Sequence, residues 1–101
     1  SVVEVVGSYG AVMGAVAEKF PEVTCISFDL PEVIEKAGTA PKGVSFAKGD
    51  MFSAGAIPKC DTIFMKHILH DWDDEASVRI LRACGEALAP HGPGVALGGL
   101  V

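Results

Sequence analysis

The alternation of strand-like and helix-like segments constrains the fold of this chain more than any other feature of its sequence. Residues 2–6 form a nearly continuous run of β-branched apolar side chains, which predicts a buried parallel strand. Apolar side chains at steps of three and four then predict a helix over residues 9–20, which Pro21 ends. The same patterns predict further strands at residues 23–28, 44–47, 61–66 and 95–101. They also predict two more helices: a short one that starts at Pro31, and one that is capped by Asp73 and runs to about residue 89.

This order of elements implies an α/β fold with a mostly parallel sheet of about five strands and helices on both faces. Ligands of such sheets bind beyond the carboxyl ends of the strands, near the point where the strand order switches. A functional site is therefore expected among the residues that directly follow the strands, namely residues 7–10, Asp29, Asp50 and residues 66–71.

Length, composition and charge exclude several classes of protein. The chain has 101 residues, of which 50% are hydrophobic and 21% are charged, which is typical of one globular domain. The formal net charge of −5 argues against a nucleic acid or an anionic membrane as partner. No apolar run approaches the roughly 20 residues that a membrane span requires. The chain opens on a strand without an initial Met, so we expect it to be a piece of a longer protein.

The three cysteines are far apart and lack the spacing of a metal site, so no metal is expected. Cys25 and Cys84 lie in apolar periodic stretches and are predicted to be small buried side chains. Unpaired cysteines favour a reducing compartment, and a cytoplasmic location is therefore expected.

The first predicted turn and the end of the second strand together indicate an adenosine-containing ligand. Gly7 and Gly10 lie between a strand and a helix, where glycine lets the backbone approach a ligand closely. Asp29 ends the second strand, where a carboxylate accepts hydrogen bonds from both hydroxyls of a ribose. Each feature alone is also typical of an ordinary turn or cap.

A second candidate segment, residues 65–75, contains two histidines, a lysine and the only tryptophan of the chain. The unperturbed pKa of histidine, about 6.5, suits proton transfer at neutral pH, so His67 and His70 are candidate bases. A purely structural interpretation also stands, in which residues 73–75 form the acidic first turn of a helix and His70 is a solvated loop residue.

Several of these segments resemble the motifs of the caffeic acid and acetylserotonin O-methyltransferase family. They are FDLPEV at residues 28–33, GDMF at 49–52, FMK at 64–66 and LHDWDDE at 69–75, and the resemblance extends over essentially the whole chain. It implies a Rossmann-like core that binds S-adenosylmethionine, truncated relative to the complete enzyme. The N-terminal dimerisation domain, the later strands and the acceptor pocket of the family would lie outside residues 1–101.

The resemblance also implies a role for individual residues. Asp29 would bind the ribose hydroxyls of S-adenosylmethionine, Asp50 and Met51 would hold the adenine, and Lys66 would assist at the polar end of the cofactor. His70 would be the catalytic base that deprotonates a hydroxyl of a small aromatic acceptor, without a metal. In the complete proteins of the family, the resemblance implies a homodimer.

The chain departs from the family pattern in two places. The family's first turn has an acid followed by glycines at alternate positions; this chain retains Glu4 and Gly10 but has Val6 and Ser8 between them. Gly7 is retained, and Tyr9 stands where a small residue is usual. If the backbone there needs φ above zero, the β-branched Val6 and the bulky Tyr9 would crowd the methionine end of the cofactor. Gly98 stands where the family usually has the glutamate that orients the catalytic histidine.

Two alternatives to a methyltransferase stay open at this point. The departures favour a non-catalytic or degenerate cofactor-binding fragment. A nicotinamide-dependent dehydrogenase would also use an acid at Asp29, but the chain lacks the GxGxxG fingerprint that binds a dinucleotide.

Overall fold

The computed structural model describes residues 1–53, 55–66, 68–88 and 94–98, and for residues 70 and 94–98 it describes the backbone alone. The strands are β1 (Val2–Val5), β2 (Cys25–Asp29), β3 (Val44–Lys48), β4 (Thr62–Lys66) and β5 (Gly94–Gly98). The helices are α1 (Ala11–Lys19), α2 (Pro31–Ala37) and α3 (Asp74–Ala87), with a 3-10 turn at Leu69–Asp71 before α3.

The five strands form one sheet in the order β3-β2-β1-β4-β5, and every neighbouring pair is parallel. The chain moves outward from β1 through β2 to β3 and then returns to the other side of β1 with β4 and β5. The strand order therefore switches between β1 and β4, which is where sheets of this kind bind ligands. The predicted parallel α/β fold is confirmed.

Helices cover both faces of the sheet because alternate side chains of each strand point in opposite directions. One core cluster lies between the sheet and α3 and includes Val3, Ile63 and Ile80, each fully buried. The other lies against α1 and includes Met13 and Cys25, each 1% exposed. Both clusters support the central strands and so fix the position of their carboxyl ends.

The predicted element ends differ from the observed ones by a few residues, for local reasons. Strand β1 stops before Val6 because that residue has φ 65, outside the β region. Helix α1 begins after Gly10, which has the left-handed φ of 78. Helix α3 ends before Leu88, whose backbone is extended. The last strand, predicted at residues 95–101, is observed at Gly94–Gly98, and residues 99–101 lie outside the described part of the chain.

Local interactions support two further predictions. The side chain of Asp73 caps α3 by accepting a hydrogen bond from the Ala76 N–H at 2.8 Å. Cys25, Cys60 and Cys84 are buried free thiols, as predicted for the first and the last. Burial raises the pKa of the Cys84 thiol to about 11, so this cysteine is a core side chain rather than a nucleophile.

Candidate functional site

A cavity of about 460 Å³ opens at the carboxyl end of the sheet. Its walls come from the segments that follow β1, β2, β3 and β4, as expected for a ligand site in this fold. Carboxylates of Asp29, Asp50 and Asp71 are set among mainly apolar neighbours. The remaining lining residues are Val6, Phe28, Leu30, Gly49, Met51, Phe52, Ile68 and Trp72.

Asp29, the last residue of β2, ties the loop after β1 to the loop after β2. Its Oδ2 accepts a hydrogen bond from the Ser8 N–H at 2.9 Å, and its Oδ1 accepts one from the Leu30 N–H at 2.8 Å. The residue is 6% exposed. Because an ionised carboxylate has about four lone-pair sites, both oxygens retain the capacity to accept a further hydrogen bond from a ligand in the cavity.

The loop after β1 has a left-handed backbone at three positions. Gly10 has φ 78, and the non-glycine residues Val6 and Ser8 have φ 65 and φ 54. A positive φ is an outlier for a β-branched residue such as Val6. Each residue held in such a conformation typically costs about 1–3 kcal/mol of strain. The positive φ on which the expected crowding depended is present at Val6, which lines the cavity, whereas Tyr9 has no positive φ and does not line the cavity.

Gly7 and Gly10, both predicted to bind the cofactor, do not line the cavity but determine the shape of this loop. A Cβ atom on Gly7 would lie 2.0 Å from the hydroxyl oxygen of Ser27, so any other residue there would displace the Ser27 side chain. The N–H groups of Val6 and Gly7 both donate to the carbonyl of Phe28, at 2.8 and 3.0 Å. The loop is thus held tightly over the end of β2.

Asp50 and Met51, to which the resemblance assigns the adenine, lie next to each other at the cavity. Asp50 is exposed, and its Oδ1 accepts a hydrogen bond from the Phe52 N–H at 2.9 Å. Met51 is 9% exposed and packs into the core cluster beneath α3. Asp50 therefore offers the cavity an exposed carboxylate, and Met51 offers it a buried apolar surface.

Two aromatic residues of the cavity wall were not assigned a role from the sequence. The rings of Phe52 and Trp72 meet edge to face, with centroids 5.1 Å apart and an angle of 72° between the planes. The guanidinium carbon of Arg79 lies 4.8 Å from the Phe52 centroid. The place of the only tryptophan in the segment that follows a predicted strand was the available signal.

Lys66 ends β4 and is exposed, but it does not line the cavity. Its positive charge acts on Glu4 of β1, which the sequence placed only in the first turn. Glu4 is 5% exposed, and within the described part of the chain its Oε1 has no hydrogen-bond partner. Burial raises the pKa of Glu4 to about 7, although the positive charge of Lys66 opposes this rise; the negative charge of Asp29 adds to it.

The two candidate bases, His67 and His70, belong to the segment that follows β4 in the sequence. His67 is outside the described residues, and His70 has a described backbone in the 3-10 turn but no described side chain. The role of His70 as a base therefore stays a prediction. Gly98 pairs in register with Lys66, so position 98 lies at the carboxyl end of the sheet, next to this segment.

Comparison with known proteins identifies the class to which this fold and cavity belong. Residues 1–98 match the O-methyltransferase domain family, and the chain belongs to that family. The chain is 48% identical over 92 residues to caffeic acid 3-O-methyltransferase of Medicago sativa, covering 91% of the chain and 24% of the relative. It is 46% identical over 92 residues to a flavone 3'-O-methyltransferase of Chrysosplenium americanum, covering 91% of the chain and 26% of the relative.

A solved structure agrees with this assignment. The crystal structure of human N-acetylserotonin methyltransferase in complex with SAM superposes with a TM-score of 0.86 at 25% identity. The match covers 95% of the chain and 28% of the human protein. The chain thus spans about a quarter of the length of the relatives that it matches.

Two further results concern metal binding and membrane-spanning helices. Among residues 1–53, 55–66, 68–88 and 94–98, no group of three or more His, Cys, Asp or Glu side chains is arranged to hold a metal ion. In the same part of the chain, no helix has the length and apolar character needed to cross a membrane.

The strained loop yields a first prediction. Replacing both Val6 and Ser8 with glycine should raise the free energy of unfolding by about 1–2 kcal/mol, because the relief of strain exceeds the added entropy of the unfolded chain. Urea denaturation measures this change. In the control, Val78→Gly, an exposed valine with ordinary helical backbone is replaced, and stability should fall by about 0.5 kcal/mol. A double glycine variant less stable than the parent would show that the positive φ values carry no strain.

Buried Glu4 yields a second prediction. A carboxyl group whose pKa is higher in the folded than in the unfolded state stabilises the fold below its unfolded pKa, and this contribution is lost as the pH rises through the folded pKa. For Glu4 the loss falls between pH 4.5 and about pH 7. Glu4→Gln does not ionise, so its stability relative to the parent should increase by up to about 3 kcal/mol across this window.

Urea denaturation of both proteins at pH 5 and pH 8 measures this effect. Glu18→Gln removes one acidic charge from the exposed surface of α1 and corrects for the change in net charge. Equal differences between Glu4→Gln and the parent at the two pH values would contradict the assignment of a raised pKa to Glu4.

Proposed function

We propose that this chain is the S-adenosylmethionine-binding part of an enzyme that methylates a hydroxyl group of a small aromatic acceptor. Membership of the O-methyltransferase domain family supports this function, as does a cavity that brings Asp29, Asp50 and Met51 together at the carboxyl end of the sheet. The relatives named above act on caffeic acid and a flavone, which are phenols. The family match favours methyl transfer over the hydride transfer of a dehydrogenase.

The residues of the cavity fit the adenosine part of this cofactor. About 460 Å³ lies within the range of 300–1,000 Å³ typical of small-molecule sites. Both oxygens of Asp29 already have well-defined positions, fixed by backbone N–H groups, and each can accept from one ribose hydroxyl. Asp50 at the rim suits the exocyclic amine of an adenine, and Met51 suits its apolar face.

The chemistry divides between cofactor and protein. When bound, S-adenosylmethionine supplies a methyl group that its sulfonium already activates. A phenol has a pKa near 10 and is a poor nucleophile until it is deprotonated. His70, through a neutral imidazole, takes the hydroxyl proton as the acceptor oxygen forms its bond to the methyl carbon and the carbon–sulfur bond breaks. The protein otherwise supplies proximity and orientation.

The complete protein would contribute what residues 1–101 do not contain. We place the acceptor-binding residues and the dimer contacts of the family in that remaining part, and we expect a homodimer. The three buried free cysteines are compatible with a reducing compartment such as the cytoplasm.

One set of observations favours a second candidate, a cofactor-binding module without catalysis. Val6 lies at the cavity with a positive φ, and Gly98 has no side chain with which to orient a histidine. Such a module would bind S-adenosylhomocysteine and fail to transfer a methyl group. Binding and turnover therefore need separate tests.

Substitution of Asp29 tests the binding of S-adenosylhomocysteine. Asp29→Asn keeps an oxygen for the loop but removes the charge that strengthens hydrogen bonds from ribose, so the Kd for S-adenosylhomocysteine should rise at least about tenfold. Calorimetric titration measures the Kd, and circular dichroism verifies that the variant is folded. Asp74→Asn makes the same chemical change at an exposed site on α3 outside the cavity and should leave the Kd unchanged. Equal affinity of Asp29→Asn and the parent would remove Asp29 from the site.

Turnover is tested in a chimera in which residues 1–98 replace the matching segment of Medicago sativa caffeic acid 3-O-methyltransferase. His70→Gln should lower kcat about 10²–10⁴-fold, the usual contribution of a general base, with little change in cofactor affinity. His67→Gln, three positions earlier, is the matched control and should reduce kcat far less. A tolerated His70→Gln with an inactive His67→Gln would reverse the assignment. A chimera that binds cofactor but is inactive with both histidines present would favour the non-catalytic module.

A further inference from the structure

Three side chains from separate segments form one wall of the cavity and its support. Phe52 follows β3, Trp72 follows the 3-10 turn, and Arg79 belongs to α3. Phe52 meets Trp72 edge to face at 5.1 Å, and the guanidinium carbon of Arg79 lies 4.8 Å from the Phe52 centroid. Both geometries are within the ranges of favourable aromatic and cation–π contacts.

We infer that Arg79 is a positioning residue for ligand binding, which acts through Phe52. Phe52 and Trp72 line the cavity, whereas Arg79 does not. The guanidinium therefore contacts a ring that the ligand would contact, and it does so from outside the cavity. By covering Phe52, Arg79 restricts the ring to the orientation in which it meets Trp72.

The loop that carries Phe52 needs such support. Between β3 and β4, its described local bonds include those from the Phe52 N–H to Asp50 and from the Ser53 N–H to the Asp50 carbonyl, at 2.9 and 3.0 Å. These bonds fix the backbone of the turn but not the torsion angles of the Phe52 side chain. Contacts with Trp72 and Arg79 restrict those torsion angles, and a side chain that is already ordered loses less entropy when a ligand binds.

A neighbouring arginine provides the comparison that separates this role from a general effect of positive charge. Arg82 lies three residues further along α3 and is exposed like Arg79. In the described part of the chain, the guanidinium over an aromatic ring is that of Arg79 and not that of Arg82. Loss of either arginine changes the net charge equally, so only a difference between them reports on the ring contact.

This inference rests on the proposed function, because S-adenosylhomocysteine is the ligand with which it is tested. In the 101-residue chain, Arg79→Met should raise the Kd for S-adenosylhomocysteine about two- to fivefold, the equivalent of one exposed cation–π contact. Arg79→Lys retains the positive charge and should recover part of the affinity, and Arg82→Met should match the parent. In a Phe52→Leu background, Arg79→Met should have no further effect, because the ring through which it acts is gone.

A second measurement needs no ligand. Trp72 is the only tryptophan, so intrinsic fluorescence reports on this wall directly. Arg79→Met should increase acrylamide quenching of Trp72 in the free chain, whereas Arg82→Met should not. Circular dichroism and urea denaturation establish that each variant retains the fold.

The outcomes separate this inference from the proposed function. If the parent binds S-adenosylhomocysteine and Arg79→Met binds it equally well, the positioning role is overturned while the proposed function stands. If the parent does not bind, the proposed function fails for this chain, and with it the effect of Arg79 on the ligand. Quenching then decides the remaining part: equal quenching of Arg79→Met and the parent overturns the ordering of the aromatic wall, and increased quenching supports it.

Discussion

The carboxylate of Asp29 connects the loops on which the candidate site depends. It accepts backbone N–H groups from Ser8 and Leu30, which lie after different strands, and it is almost completely buried while doing so. A buried carboxylate is stable only when its oxygens are hydrogen-bonded, and a loop with positive φ values persists only when its surroundings hold it in place. The N–H groups of the two loops satisfy the carboxylate of Asp29, and that carboxylate in turn holds the loop after β1 in place. The same oxygens are the groups that would bind a ribose, so the arrangement that stabilises the loop also orients the ligand-binding group.

Sequence patterns were sufficient to predict the strands and helices because each of these elements depends on the chemistry of neighbouring residues. Apolar runs ending at Asp29 and Lys66 placed the carboxyl ends of the strands, and Asp73 marked the start of α3. Their order along the chain also implied a parallel sheet. The particular strand order, with β1 between β2 and β4, depends on contacts between distant residues and was not predicted. The φ of Val6 is a similar case, since it results from the tight connection over β2 rather than from the preference of valine.

The candidate site was predicted less completely than the fold, for a related reason. A residue such as Asp50 could be recognised because a motif surrounds it, and its place at the cavity agrees with that motif. The contact between Arg79 and Phe52 joins residues that no local pattern connects. Glu4 illustrates the limit more clearly: its position in the first turn was visible in the sequence, but its burial and its raised pKa follow from the sheet that surrounds it.

Glu4 also limits how the loop after β1 can vary. It pairs in register with Ser27, and a Cβ atom on Gly7 would displace the Ser27 hydroxyl and lie 3.3 Å from the Glu4 carbonyl oxygen. Within the described residues, both Glu4 and Ser27 have a buried side-chain oxygen without a hydrogen-bond partner, and such groups typically destabilise a fold by about 1–3 kcal/mol each. Two unsatisfied oxygens beneath a strained loop are typical of a functional site, where stability gives way to ligand binding. The destabilisation therefore lies next to the loop after β1, where Ser27 approaches Gly7, and a group with hydrogen-bond donors that reached Glu4 would relieve part of it.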